Sequence, residues 1–182
     1  MSDTFYSANS RWIVESHAPM FSDYETLLNT NQPNLVEPGR STTVHGYQIP
    51  HTIEETQDLA EFIIKKTNNI LTKSNTPCQI HNHIQTWSIT YYPGGWKGIH
   101  NHQKGNTGAT AVLYFDDVDK RPNNEGALYA VLQDEAGDTY VEWWQPSAGK
   151  LLVMDARIWH GVYPTVDERR VMVLDFEAAW NE

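Results

Sequence analysis

His100 and His102 stand two residues apart at the end of a run of strand-forming residues, and His160 follows 58 residues later. Side chains on a strand alternate with period two, so the first two imidazoles share a face. A third imidazole from a distant strand can close a three-point metal face. Three ligands on one side leave coordination positions open to small molecules, as a catalytic metal requires and a structural one does not. Arg169 and Arg170 follow closely. A guanidinium there can hold the carboxylate of a cosubstrate bound to the metal through a charge-assisted, bidentate pair. Adjacent strand residues point opposite ways, so only one of the two faces inward. Arg169 lies nine residues after His160 and Arg170 ten.

The elements that must carry these residues are mostly short strands. Residues 80–92 are rich in β-formers and run into Pro93-Gly94-Gly95, read as a turn. Gly108 to Phe115 is strongly apolar. Gly126 to Gln133 and Thr139 to Trp144 read as a hairpin closed by Asp134-Glu135-Ala136-Gly137. Lys150 to Met154 and Val171 to Phe176 complete the set. Many short strands separated by turn signals predict a sandwich or barrel. The first 76 residues read as loops and supporting helices: a short helix within Met20 to Asn29, loop from Asn31 to Thr43, and a long helix over Ile53 to Thr72. Thr52 and Glu55 form a capping box for that helix. Leu59, Phe62, Ile63, Ile70 and Leu71 keep helical spacing, so its apolar face should cover a sheet.

The bulk numbers fit one globular domain of 182 residues, 40% apolar and 20% charged. A net charge of −10 argues against nucleic-acid binding. A basic pocket inside an acidic protein still admits a small acidic ligand. A single cysteine, Cys78, allows no intrachain disulfide and fits a reducing compartment. No apolar run approaches a membrane span, and the polar start of the chain lacks a signal pattern. The expectation is a cytoplasmic protein without membrane or nucleic-acid partners, acting on a small-molecule or peptide substrate.

Three groups of residues carry a resemblance. The first is Tyr91-Tyr92-Pro93-Gly94 leading to His100-Asn101-His102, followed by Leu113-Tyr114-Phe115. The second is Gly149 to Asp155 with Trp159-His160-Gly161-Val162-Tyr163-Pro164. The third is Arg169-Arg170-Val171. In this order they resemble the Fe(II)/2-oxoglutarate-dependent oxygenase superfamily, in particular its prolyl-hydroxylase-like branch. The likeness spans residues 86–177, about half the chain. It implies a double-stranded β-helix (a jelly-roll, cupin-like barrel), an Fe(II) cofactor on His100, His102 and His160, and 2-oxoglutarate as cosubstrate. It further implies that Arg170, favoured by its spacing of ten from His160, or Arg169, at the tolerated spacing of nine, holds the distal carboxylate, aided by Tyr114 and more weakly by Tyr92. The implied activity is hydroxylation of an unidentified substrate. One position departs from the family: residue 102 is histidine where the pattern has a carboxylate, leaving the metal site more positive by one charge.

Two other functions are compatible with such a barrel. A cupin-type metal protein without 2-oxoglutarate matches Gly94 and His100-x-His102, but residues 103–109 lack the cupin glutamate. A non-catalytic β-domain with a vestigial site is the other. His81-Asn82-His83 repeats the i, i+2 spacing with no downstream answer and reads as polar strand surface. Trp143, Trp144 and Trp159 read as core and pocket wall. Residues such as Val112, Leu152 and Val173 read as a core set apart from the site. Pro122, Asn123, Asn124 and Glu125 read as a loop that selects substrate.

Overall fold

The computed structural model describes residues 3–8, 11–19, 28, 43–117 and 124–180. Ten strands are described: β1 (Thr4–Ala8), β2 (Arg11–His17), β3 (Thr43–His51), β4 (Cys78–His100), β5 (Thr107–Tyr114), β6 (Leu128–Gln133), β7 (Thr139–Trp144), β8 (Lys150–Asp155), β9 (Trp159–Val162) and β10 (Arg169–Trp180). They form one antiparallel sheet in the order β1-β2-β8-β5-β10-β4-β9-β6-β7, with β3 on β4. The sheet curls into the jelly-roll arrangement expected from the sequence.

Alternation along β2, β5, β8 and β10 splits the apolar residues into two cores. Trp12, Val14, Ala111, Leu113, Leu151, Val153, Met172 and Leu174 pack on one face, under helix α1 (Gln57–Lys73). Ile13, Val112, Tyr114, Leu152, Met154, Val171 and Val173 pack on the other, inside the curl. Strands buried on both faces read as unbroken apolar runs, which is what these segments are. The helix supplies Leu59, Ala60, Ile63, Ile70 and Leu71 to the outer core. The capping box is present: Glu55 Oε2 accepts from the Thr52 backbone N–H at 2.8 Å, and Thr52 Oγ1 accepts from the Glu55 N–H at 3.2 Å.

Two expectations are corrected. Pro93-Gly94-Gly95 does not end a strand but forms a bulge within β4. Its first part pairs with β10, up to Tyr91 opposite Arg169, and its last part pairs with β9, with His100 opposite His160. Proline is tolerated at such a bulge. Gly94 has φ +80°, and the bulge is fastened by the Gly94 N–H on the Thr165 carbonyl at 2.6 Å and the Thr165 N–H on that of Gly95 at 2.9 Å. One strand thereby turns the corner between the two halves of the curl. The N-terminal region, expected as loops and helices, carries strands β1 to β3. Trp12, Ile13 and Val14 are buried there, and β2 adds to β8. Most of the short helix expected within Met20 to Asn29, the loop residues 31–42, and Pro122 and Asn123 of the expected substrate loop lie outside the described residues.

Because the helix-side core lies across the sheet from the barrel interior, Leu59→Ala should lower stability by about 2–5 kcal/mol. It should leave metal affinity of the folded protein unchanged. Denaturant unfolding alongside metal titration checks both.

Candidate metal centre

The end of β4 delivers His100, the following segment delivers His102, and β9 delivers His160. Their ligand atoms all lie within 4.8 Å of one another. His100 Nδ1 faces the Gly98 carbonyl at 2.8 Å, His160 Nδ1 faces that of Ile158 at 3.1 Å, and His102 Nδ1 faces Asp175 Oδ1 at 2.8 Å. Each partner only accepts, so each Nδ1 donates and each Nε2 keeps its lone pair. The Nε2 atoms of His100 and His102 are 3.2 Å apart. Two nitrogens ~2.1 Å from one ion stand roughly 3.0–3.4 Å apart, depending on the bond angle. The donor set therefore fits a divalent first-row metal.

Burial, with Lys97 close by, pushes His100 down to about 4. Burial and the two neighbouring imidazoles hold His160 well below the usual histidine range. Both are neutral at physiological pH, the form that ligates a metal.

The imidazoles open into a pocket lined by Trp87, Ile89, Tyr91, Lys97, Val112, Tyr114, Leu128, Val162, Arg169, Val171 and Val173. Val112 and Val173, expected in a core apart from the site, are part of its wall. Arg169 is the inward member of the basic pair, 1% exposed. Its guanidinium lies 4.5 Å from the Tyr91 ring centre and 5.9 Å from that of Tyr114, and Nη1 donates to the Gly126 carbonyl. Gly126 sits at φ +69°, a conformation that suits glycine. Arg170, favoured by the spacing of ten, points away and pairs with Asp116, with Nη2 2.5 Å from Oδ1. The register decides this: Arg169 shares its face with Val171 and Val173.

Tyr114 is buried in the cavity wall, and burial pushes its phenol up. Tyr92 is 45% exposed and packs on Tyr47 at 5.8 Å; its neighbour Tyr91 lines the cavity instead. Three buried donors of the wall, Trp87 Nε1, Tyr114 Oη and Arg169 Nε, have no hydrogen-bond partner among the described residues. Buried polar groups are normally paired, so this wall suits a ligand rich in acceptor oxygens.

Sequence reasoning missed Lys97, Trp87 and Asp175. Burial pushes Lys97 down to about 8. Trp87 stacks on His102 at 5.7 Å and 15°. Of the three tryptophans expected in core and wall, Trp143 and Trp159 are each 47% exposed and Trp144 is buried. His83 contacts Thr86 Oγ1 at 2.5 Å and lies against Phe176, so this half of the second histidine pair is structural rather than polar surface. Glu125 lines a separate open groove with Pro93, Gly94, Tyr163, Pro164 and Thr165.

No family model matches the sequence, and no curated protein matches it. Solved structures do match in fold. A prolyl-4-hydroxylase from Pseudomonas putida aligns with TM-score 0.58 and 20% identity over 78% of this chain and 76% of its own. The viral collagen prolyl hydroxylase of Paramecium Bursaria Chlorella virus-1, in its 2-oxoglutarate complex, aligns with TM-score 0.60 and 15% identity over 92% and 96%. HygX from Streptomyces hygroscopicus, with nickel and 2-oxoglutarate bound, aligns with TM-score 0.59 and 10% identity over 91% and 82%. The fold is the double-stranded β-helix of the 2-oxoglutarate/Fe(II) oxygenases.

His100→Ala should abolish divalent-metal binding while far-UV circular dichroism stays unchanged. The metal-free protein should lose stability as pH falls from about 6.5 toward 4. The unfolded chain then takes up protons on histidines that the folded chain keeps neutral. Melting curves across that range check the sign.

Proposed function

We propose that this chain is an Fe(II)- and 2-oxoglutarate-dependent oxygenase that hydroxylates an unidentified small-molecule or peptide substrate. One observation carries the reading: a single cavity contains three converging imidazole nitrogens together with a buried arginine and tyrosine whose donors Arg169 Nε and Tyr114 Oη are unmet. A dicarboxylate chelated at one end and anchored at the other would satisfy both sets. Iron and 2-oxoglutarate, when bound, would supply the activation of dioxygen that attack on an unactivated C–H bond requires.

The chain's own residues do the positioning. His100, His102 and His160 would hold the metal on one face. The Arg169 guanidinium, fixed between two tyrosine rings and the Gly126 carbonyl, would receive the distal carboxylate, with the Tyr114 hydroxyl as a second donor. Ile89, Val112, Leu128 and Val171 would keep water from that ion pair, which strengthens it. No described helix is long and apolar enough to cross a membrane. The single cysteine, Cys78, is buried and free of any disulfide within the chain, in keeping with a cytoplasmic setting in which iron stays ferrous.

Arg169→Ala should weaken 2-oxoglutarate binding by about 2–5 kcal/mol, the cost of truncating one partner of a buried charge pair. Arg170→Ala should change it little. Calorimetry of 2-oxoglutarate binding to the metal-loaded variants checks the difference. Conversion of 2-oxoglutarate to succinate by wild type with Fe(II), and its absence without iron, tests the activity. Equal binding by both arginine variants would remove the assignment.

A further inference from the structure

We propose that Asp175 is the fourth member of the metal centre, a positioning residue that supplies through His102 Nδ1 the negative charge a carboxylate ligand at position 102 would bring. The inference rests on the reading that the three imidazoles hold a divalent metal.

Three neutral ligands leave a divalent ion's full charge on the site. Lys97 and Arg169 line the same cavity, and no Asp or Glu among the described residues does. Concentrating positive charge away from water is costly unless an anion compensates. Asp175 lies one shell back. It continues the inward face of β10 after Arg169, Val171 and Val173, sits opposite Gln85 of β4, and is 2% exposed. Both of its oxygens are engaged: Oδ1 accepts from His102 Nδ1 at 2.8 Å and Oδ2 from Gln85 Nε2 at 2.7 Å. The imidazole of His102 therefore stands between the carboxylate and the metal position.

Two contrasts make the arrangement specific. His100 and His160 use backbone carbonyls as Nδ1 acceptors, whereas His102 uses a charged one. Asp175 is a buried carboxylate paired with no Lys or Arg among the described residues, so the charge it answers is that of the centre it backs. A carboxylate behind a ligating histidine fixes the ring and raises its donor strength. Trp87, stacked against the His102 ring face, limits rotation of the same imidazole.

Anaerobic titration of wild type and Asp175→Asn with Fe(II), and with Co(II) as an absorption probe, tests this. The amide keeps the shape and removes the charge. Metal affinity should fall 10–100-fold, the visible bands of bound Co(II) should shift, and the melting temperature of the metal-free variant should not drop. A lower melting temperature with unchanged affinity and unchanged Co(II) bands would make Asp175 a structural residue and overturn the proposal. A measurement on the wild type guards against a variant that fails to fold. In the Zn(II)-loaded protein the His102 Nδ1 proton should resonate well downfield of those of His100 and His160. Equal positions would overturn the proposal. Wild type that binds none of these metals would overturn the reading beneath it as well, whereas equal affinities of wild type and Asp175→Asn would remove Asp175 alone.

Discussion

Each imidazole of the triad is tied by its Nδ1 to an acceptor that the β-framework fixes, and the centre depends on those three hydrogen bonds. The Gly98 and Ile158 carbonyls and the Asp175 carboxylate orient the rings so that the Nε2 atoms face one another. Without the tethers, three lone pairs at close range would turn apart. The tethers require β4 to reach β9 at its far end while still pairing with β10 at its near end. The Pro93–Gly95 bulge permits this, so a backbone irregularity seven residues before His100 decides whether the first ligand meets the third.

The same framework sets the electrostatics. Splitting the apolar residues into an outer core under α1 and an inner one makes the cavity wall largely hydrocarbon. Charged groups admitted there are individually braced. Arg169 lies against two aromatic faces and a carbonyl. The chain as a whole is acidic, yet the lining carries positive charge, which suits an anionic small molecule drawn from solvent. β10 is the organising element: its inward face presents the arginine at its start and the aspartate behind the metal ligand at its middle.

Much of the site was legible in the sequence, and the failures have a common cause. The i, i+2 histidines, the distant third and the order of the apolar runs point to the barrel and its likeness to the oxygenases. Which of two neighbours faces inward was not legible. Strands buried on both sides, such as Val171-Met172-Val173-Leu174, give no polar face from which to read the alternation, so Arg169 and Arg170 could not be separated by pattern, nor could Tyr91 and Tyr92. The pairing of β10 with β4, which sets Arg169 opposite Tyr91, decides both pairs. Asp175 was visible as a lone acid inside that apolar run, a signal that a buried carboxylate has work at that position. β1 and β2 were missed because they are short strands, with β1 only partly buried, whose stability comes from adding to β8 rather than from a strong local pattern.

The central claim is that one cavity binds a metal on its histidines and a dicarboxylate across the metal and Arg169. Visible absorption of the anaerobic protein with Fe(II) and 2-oxoglutarate tests it most directly. A charge-transfer band that requires the protein, the iron and the keto acid together, and that is lost in His160→Ala, is the predicted result. Iron bound tightly with no band on adding 2-oxoglutarate would contradict the claim and leave a cupin-like metal protein in its place.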